Sequence, residues 1–114
     1  MAGLTTHVLD TANGCPAANM SLRLLFAGGQ LLVASRTNED GRCDAPLLGA
    51  KEMRAGLYRL EFGVAEYYRS KGVQLPDPAF LDLVAIEFGL ADMDAHYHVP
   101  LLVSPFGYST YRGS

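Results

Sequence analysis

The last five residues, 110–114, carry many reactive groups for the end of a chain. They bring a phenol, a guanidinium and hydroxyl groups close to the α-carboxylate, and they follow His96 and His98 by little more than one strand length. Chain ends are usually frayed and carry no specific chemistry. Two interpretations stay open: a terminus that is held in a site, or a final strand that ends in polar residues.

Three histidines supply groups that titrate near neutral pH and can serve as acids or bases. His96 and His98 are two residues apart in a predicted strand, so alternation puts both on one face. Two zinc ligands can have the same spacing, but no third ligand stands at a matching position, so a metal site is the weaker alternative. His7 shares the face of another predicted strand with Thr5 and Leu9, where a lone histidine is more often structural.

Arg42 directly follows a predicted turn at Asp40 and Gly41. An arginine in this position is usually a solvated loop charge, but a rigidly presented one can donate two parallel hydrogen bonds to a planar anion or imide. Two histidines and an arginine have the chemistry to activate a water molecule and to stabilise an oxyanion. The sequence has no Gly-x-Ser-x-Gly elbow, phosphate-binding loop or dinucleotide fingerprint, so it gives no support to serine-nucleophile, phosphoryl-transfer or nicotinamide chemistry.

The composition predicts one folded domain, residues 1–114. Of the 114 residues 49% are hydrophobic and 18% charged, which is enough apolar material for a core. The net charge is -3 and the nine Lys and Arg residues form no run, which argues against nucleic-acid and anionic membrane surfaces. No secretory signal or membrane-spanning segment is recognisable, and two cysteines are expected to be free thiols, so we expect a cytoplasmic location.

The hydrophobic pattern has mostly a period of two, which predicts strands that position these groups. One short helix is predicted at Val64–Ser70, and Pro100 suggests a strand edge or a bulge. The arrangement indicates an antiparallel β-sandwich. The predicted strands are Leu4–Asp10, Ser21–Ala27, Gln30–Thr37, Leu57–Phe62, Leu81–Phe88, His96–Val103 and Phe106–Tyr111, with turns at residues 11–16 and 89–94.

Four segments stand in order along the whole chain: 4–10 with 14–17, 37–42, 96–110 and the tetrapeptide 111–114. Together they resemble the 5-hydroxyisourate hydrolases, a transthyretin-related family. Transthyretin, the hormone carrier of the same fold, lacks the terminal tetrapeptide and the histidine set, so the resemblance favours a hydrolase. The stretch 80–84 departs from the family because an expected proline is missing.

The resemblance implies an all-β, transthyretin-like sandwich of two four-stranded sheets with one short helix. It implies a homotetramer, a dimer of dimers, whose active sites lie in a channel between dimers. The implied reaction is hydrolysis of 5-hydroxyisourate to 2-oxo-4-hydroxy-4-carboxy-5-ureidoimidazoline in urate catabolism, without a cofactor or a metal. The alternative is a non-enzymatic small-molecule carrier that uses the central channel.

The resemblance also implies which residues form the site. Either His7 or His98 can be the general base, and His96 is assigned a supporting or structural role. The implied catalytic residues are His7, Arg42, His98 and Ser114, and the implied substrate-binding residues are Tyr111, Arg112 and Gly113.

Overall fold

Two four-stranded sheets pack face to face in the computed structural model, which describes residues 2–113. The first sheet has the strand order β2-β1-β7-β8 and the second has the order β4-β3-β5-β6. A short helix, α1, follows β5. The elements are β1 (Gly3–Asp10), β2 (Cys15–Pro16), β3 (Ser21–Phe26), β4 (Gln30–Arg36), β5 (Gly56–Gly63), α1 (Val64–Ser70), β6 (Leu83–Leu90), β7 (His96–Ser104) and β8 (Gly107–Thr110).

The pairing of β1 with β7 positions the residues of interest. These strands run parallel over eight residue pairs, whereas every other strand pair is antiparallel. The register sets Thr5 beside His98 and His7 beside Pro100. Residues from the two ends of the sequence therefore meet in the middle of one sheet.

Alternation along the same two strands separates the core from the outer surface. Four residues of β1 and four of β7 are at most 5% exposed and face the second sheet: Leu4, Thr6, Val8, Asp10, Tyr97, Val99, Leu101 and Val103. Thr5, His7, His96 and His98 occupy the intervening positions. The core thus fixes the strands from one side and presents the polar side chains on the other.

Asp10, at the end of β1, ties the first sheet to α1. Its buried carboxylate accepts hydrogen bonds from the hydroxyls of Tyr67 and Tyr68, each at 2.8 Å, and from the side chain of Asn13 at 2.7 Å. Burial raises the pKa of Asp10, but the hydrogen bonds from Asn13 and the two tyrosines outweigh burial, so the net pKa lies below its usual value. The carboxylate therefore remains ionised while it stabilises the helix.

The predicted elements agree with the structure to within one residue at each end, except at three places. The helix is confirmed with its predicted bounds, Val64–Ser70. The predicted turn at residues 11–16 includes the short strand β2, whose two residues pair with Leu9 and Asp10. Short edge strands of this kind leave little periodicity in a sequence.

Strand β6 begins and ends two residues later than predicted. The carbonyl of Asp82 accepts hydrogen bonds from the backbone amides of Val64 and Ala65, so this residue serves the start of the helix and not the sheet. At the other end the pairing of Leu90 with Gly56 extends the strand into the predicted turn. Both shifts come from contacts distant in sequence.

Pro100 lies neither on an edge strand nor at a bulge, contrary to the prediction. Strand β7 is an inner strand, and its register with β1 is continuous through Pro100. On the other side, pairing with β8 stops at Thr110, and a single bridge resumes at Gly113 with the same register. The interruption lies opposite Pro100, which has no N–H to offer its neighbour.

In the described part of the chain the one α-helix has seven residues, and no helix is long and apolar enough to cross a membrane.

Candidate active site

His98 is the centre of a polar cluster on the outer face of the first sheet. Thr5, its neighbour on β1, lies with Oγ1 2.8 Å from Nδ1 of His98 and 3.2 Å from Nε2 of His96. One hydroxyl therefore joins two imidazoles. The half-buried ring of His98 is held on its Nδ1 side, while the ring of His96 is exposed.

The loop after β4 brings Arg42 to the same face. His7 and Arg42 form an isolated antiparallel bridge, and the backbone amide of Val8 donates to the carbonyl of Gly41 at 2.8 Å. Gly41 has φ of +75°, and a Cβ there would overlap the carbonyl oxygen of Val8. Only glycine allows the loop to approach β1 this closely.

Asn38 shapes this loop from within. Its side-chain oxygen accepts hydrogen bonds from the backbone amides of Asp40 at 2.9 Å and Arg42 at 3.2 Å, and its amide group donates to Asp44 at 3.0 Å. Its backbone carbonyl accepts from Gly41. Asn38 thus fixes the backbone from which the Arg42 side chain extends.

His7 is oriented by the same loop. Its Nε2 lies 2.8 Å from the carbonyl oxygen of Asp40. Because a carbonyl only accepts hydrogen bonds, Nε2 must carry the proton, and Nδ1 is the ring nitrogen that remains available in the neutral form.

The surroundings of His98 favour its neutral form. Burial lowers its pKa most, and repulsion from Arg42, and from His7 and His96 when they are protonated, lowers it further, below the ordinary value of 6.5. An imidazole that is neutral at neutral pH can accept a proton from water. The electrostatics therefore suit His98 to the role of a base.

Gly113 comes next to His98 through the bridge that follows β8. Its amide donates to the carbonyl of His98 at 2.8 Å, and its α-carbon lies so close to the ring that a Cβ would be 2.7 Å from Cδ2.

Arg112 lies differently: its guanidinium stacks 3.9 Å from the ring centroid of Tyr97, which faces the core, and donates to the carbonyl of His96 at 3.3 Å. Tyr111 is 61% exposed. Ser114 lies outside the described residues.

The structure thus brings His7, Arg42, His98 and the backbone of Gly113 together, and sets the guanidinium of Arg112 against Tyr97 on the other side of β7. Two residues without a predicted role take part, Thr5 and Asn38. Thr5 could have been found by its position, because it shares a strand face with His7. For Asn38 the sequence indicated only a turn and no part in a site.

The cavity beside Arg42 is small, about 110 Å³, and is lined by Thr5, Thr6, Arg42, Cys43, Ala45 and Leu47. Within residues 2–113 no group of three or more His, Cys, Asp or Glu side chains is placed to hold a metal ion. The arrangement offers a base, a planar cation and hydrogen-bond donors on an open sheet face. Such a set is suited to polarising and opening a small polar ring.

Comparison with known proteins places this chain in a family. The sequence profile of the HIUase/Transthyretin family matches residues 4–113. A 5-hydroxyisourate hydrolase of Pseudomonas aeruginosa is 55% identical and covers 100% of this chain and 93% of its own. One of Ralstonia nicotianae is 57% identical over 100% of both chains.

Solved structures agree in fold. A Klebsiella pneumoniae 5-hydroxyisourate hydrolase has a TM-score of 0.84 at 32% identity, with 100% of both chains covered. A sea bream transthyretin in complex with thyroxine has 0.85 at 26% identity, covering 96% of this chain and 93% of its own. An (S)-allantoin synthase has 0.92 at 46% identity over 98% of this chain, which spans only 43% of that longer protein. The chain belongs to the HIUase/Transthyretin family.

Proposed function

We propose that this protein is an enzyme that hydrolyses 5-hydroxyisourate to 2-oxo-4-hydroxy-4-carboxy-5-ureidoimidazoline in urate catabolism. The observation that carries the proposal is the convergence of His7, Arg42 and His98 on one sheet face. Relatives at 55% and 57% identity bear the name of this hydrolase, whereas the sea bream transthyretin is 26% identical.

The roles follow from the chemistry of the ring opening. Neutral His98 takes a proton from water, whose oxygen then forms a bond to a ring carbonyl carbon. Arg42 binds the imide edge with two donors and stabilises negative charge on the carbonyl oxygen. The ring carbon–nitrogen bond breaks and the nitrogen takes the proton from His98. His7, fixed by Asp40, orients the substrate or the water.

The residues after β8 complete the site in this proposal. Gly113 supports it, because its amide is bonded to His98 and its backbone touches the ring. Arg112 anchors the segment on Tyr97. We assign Tyr111 to substrate binding and Ser114 to holding the water or substrate. Ser114→Ala should then raise KM or lower kcat, and unchanged kinetics would remove Ser114 from the site.

A homotetramer, a dimer of dimers, would enclose this open face. Small-molecule sites usually occupy about 300 Å³ or more, and the cavity beside Arg42 is about 110 Å³. A second sheet face opposite the histidines would supply the missing walls and exclude water. Analytical ultracentrifugation tests this: a tetramer at assay concentration supports it, and an active monomer contradicts it.

We further propose that residues 1–114 act as one hydrolase domain in the cytoplasm. The single apolar core between the sheets supports the first part. The free thiols of Cys15 and Cys43 support the second, because a reducing compartment keeps thiols free. Cell fractionation with an antibody would test the compartment.

Oxygen-isotope labelling separates the enzyme from the carrier alternative. With freshly made urate-oxidase product in ¹⁸O-labelled water, the protein should accelerate formation of a ring-opened product that contains one additional labelled oxygen. Equilibrium dialysis with thyroxine serves as the counter-test, because the sea bream relative is described in complex with that hormone. Tight thyroxine binding without any acceleration would favour the carrier.

A further inference from the structure

The hydroxyl of Thr5 lies between His96 and His98, and the proposed hydrolysis uses only His98 as its base. Oγ1 is within hydrogen-bond distance of Nδ1 of His98 and of Nε2 of His96. A hydroxyl has one proton, and within residues 2–113 the two rings are the hydrogen-bond partners of this hydroxyl, so it donates to one ring and accepts from the other. The protonation of the two rings is therefore coupled through Thr5.

Two arrangements satisfy these contacts. If Thr5 donates to His98, the neutral His98 ring carries its proton on Nε2 and can only donate there. If Thr5 donates to His96, it accepts from Nδ1–H of His98, and Nε2 of His98 has a free lone pair. Within residues 2–113 no hydrogen bond engages Nε2 of His98, so this ring nitrogen is available to bond an incoming molecule.

We propose that Thr5 is a positioning residue that holds His98 as the Nδ1–H tautomer and connects it to His96 as a proton relay. This inference rests on the proposed hydrolysis, because a base at Nε2 is useful only if a water must be deprotonated. Thr5 is suited to the role because the parallel pairing of β1 with β7 sets it beside His98, and because its β-branched side chain has few rotamers.

The relay balances its protons. As Nε2 of His98 takes a proton from the attacking water, its Nδ1 proton passes to Oγ1 of Thr5, and the hydroxyl proton passes to Nε2 of His96. The positive charge then lies on the exposed His96 ring, where water solvates it. When the leaving ring nitrogen takes the proton from Nε2 of His98, the same transfers run backwards and restore both rings.

The charges around the relay favour this outward movement. Arg42 and His7, from the neighbouring loop and from β1, act on His98 together with His96 itself. A cationic His98 would be half-buried and repelled by Arg42, whereas a cationic His96 is exposed. Moving the charge to His96 therefore lowers the electrostatic cost of the base step.

Two substitutions of nearly equal shape test the hydroxyl. Thr5→Val removes only the polar group and keeps the β-branched form, and should lower kcat about 10- to 100-fold while KM changes little, since the base is misoriented but the binding groups remain. Thr5→Ser retains a hydroxyl and should restore most of the rate. Thr11→Val is the matched control, because Thr11, directly after β1, donates to the carbonyl of Val103 on β7, away from the histidines.

Nitrogen-15 NMR of labelled histidine gives a readout independent of turnover. At neutral pH, His98 of the unsubstituted protein should show protonated Nδ1 and unprotonated Nε2, and Thr5→Val should lose this preference. His96→Asn should slow turnover, and combining it with Thr5→Val should cost little more than either alone, since both break one relay.

These experiments distinguish a failure of the relay from a failure of the proposed hydrolysis. A resting His98 protonated on Nε2, or a Thr5→Val protein with unchanged kcat and pH profile, would overturn the relay. If the unsubstituted protein did not accelerate decay of 5-hydroxyisourate at all, the proposed function would fail, and the relay would fail with it even if the NMR tautomer were as expected.

Discussion

Gly113 lies against His98 so closely that the two residues can be treated as one structural unit. The backbone amide of Gly113 donates to the carbonyl of His98 at 2.8 Å, and its α-carbon faces the edge of the imidazole ring. The bridge has the same register as β8, although two intervening residues leave the ladder. The segment after β8 therefore buttresses the proposed base directly.

Gly113→Ala should lower kcat about tenfold or more, because the added Cβ would lie 2.7 Å from Cδ2 of His98 and would rotate the ring away from Thr5. Gly107→Ala in β8 is the matched control, since its Cβ would meet only Ser104 Oγ at 3.9 Å. Steady-state kinetics and melting temperatures of both proteins check this. Equal kcat values in the two variants would contradict the buttressing role.

The pH dependence of kcat/KM should reveal the charge of Arg42. Because the pKa of His98 lies below its ordinary value, activity should be full at neutral pH and should fall only as the pH drops through that lowered pKa. Arg42→Gln removes a positive charge, so the pKa of His98 should rise and the acid limb should move to higher pH.

Arg42→Lys separates charge from geometry. Lysine keeps the positive charge, so the acid limb should stay near its original pH, but it cannot donate two parallel hydrogen bonds, so kcat/KM should fall at every pH. An acid limb that is the same in all three proteins would show that Arg42 does not act on the titrating group.

Asn38→Ala should lower kcat/KM about tenfold, because the amides of Asp40 and Arg42 lose their common acceptor and the loop no longer presents Arg42 rigidly. Asp44→Ala breaks only the outer hydrogen bond to Asn38 and should have a much smaller effect. Comparable losses of kcat/KM in both variants would show that the hydrogen bond to Asp44, and not the two backbone hydrogen bonds, fixes the loop.

Asp10→Ala should lower the free energy of unfolding by about 2 kcal/mol or more, since the buried Tyr67 hydroxyl loses its acceptor and the Tyr68 hydroxyl keeps only the carbonyl of Val103. The lowered pKa of Asp10 also sets the acid stability. Its contribution is present above the unfolded-state pKa of 3.8 and is lost as the pH falls through the lower folded-state value.

Urea unfolding of the unsubstituted protein and of Asp10→Ala between pH 6 and pH 2, a range of about four units around that transition, measures both effects. The stability difference between the two proteins should shrink towards the acid end. A difference that stays constant over the range would mean that the ionised carboxylate is not the stabilising group.

Much of the fold was predictable because it is local. The residues 64–70 form a helix as expected, and the alternation of β1 and β7 correctly put His7, His96 and His98 on strand faces. The start of β6 was not predictable, because Asp82 leaves the ladder to bond the first turn of the helix.

The site was predictable in its residue types and not in its connections. Nothing local to Thr5 indicates that β1 will pair in parallel with β7 and place this hydroxyl between two imidazoles. Likewise, the contact of Arg112 with Tyr97, on the opposite face of β7 from the histidines, could not be predicted from the sequence. It depends on the register of the bridge between His98 and Gly113.

The most direct test of the hydrolase is stopped-flow ultraviolet decay of freshly generated urate-oxidase product at neutral pH, with the unsubstituted protein and with His98→Asn at equal concentration. We expect saturable acceleration by the first and a loss of about 100-fold or more in the second. Decay no faster than in buffer, or equal acceleration by both proteins, would contradict hydrolysis through His98.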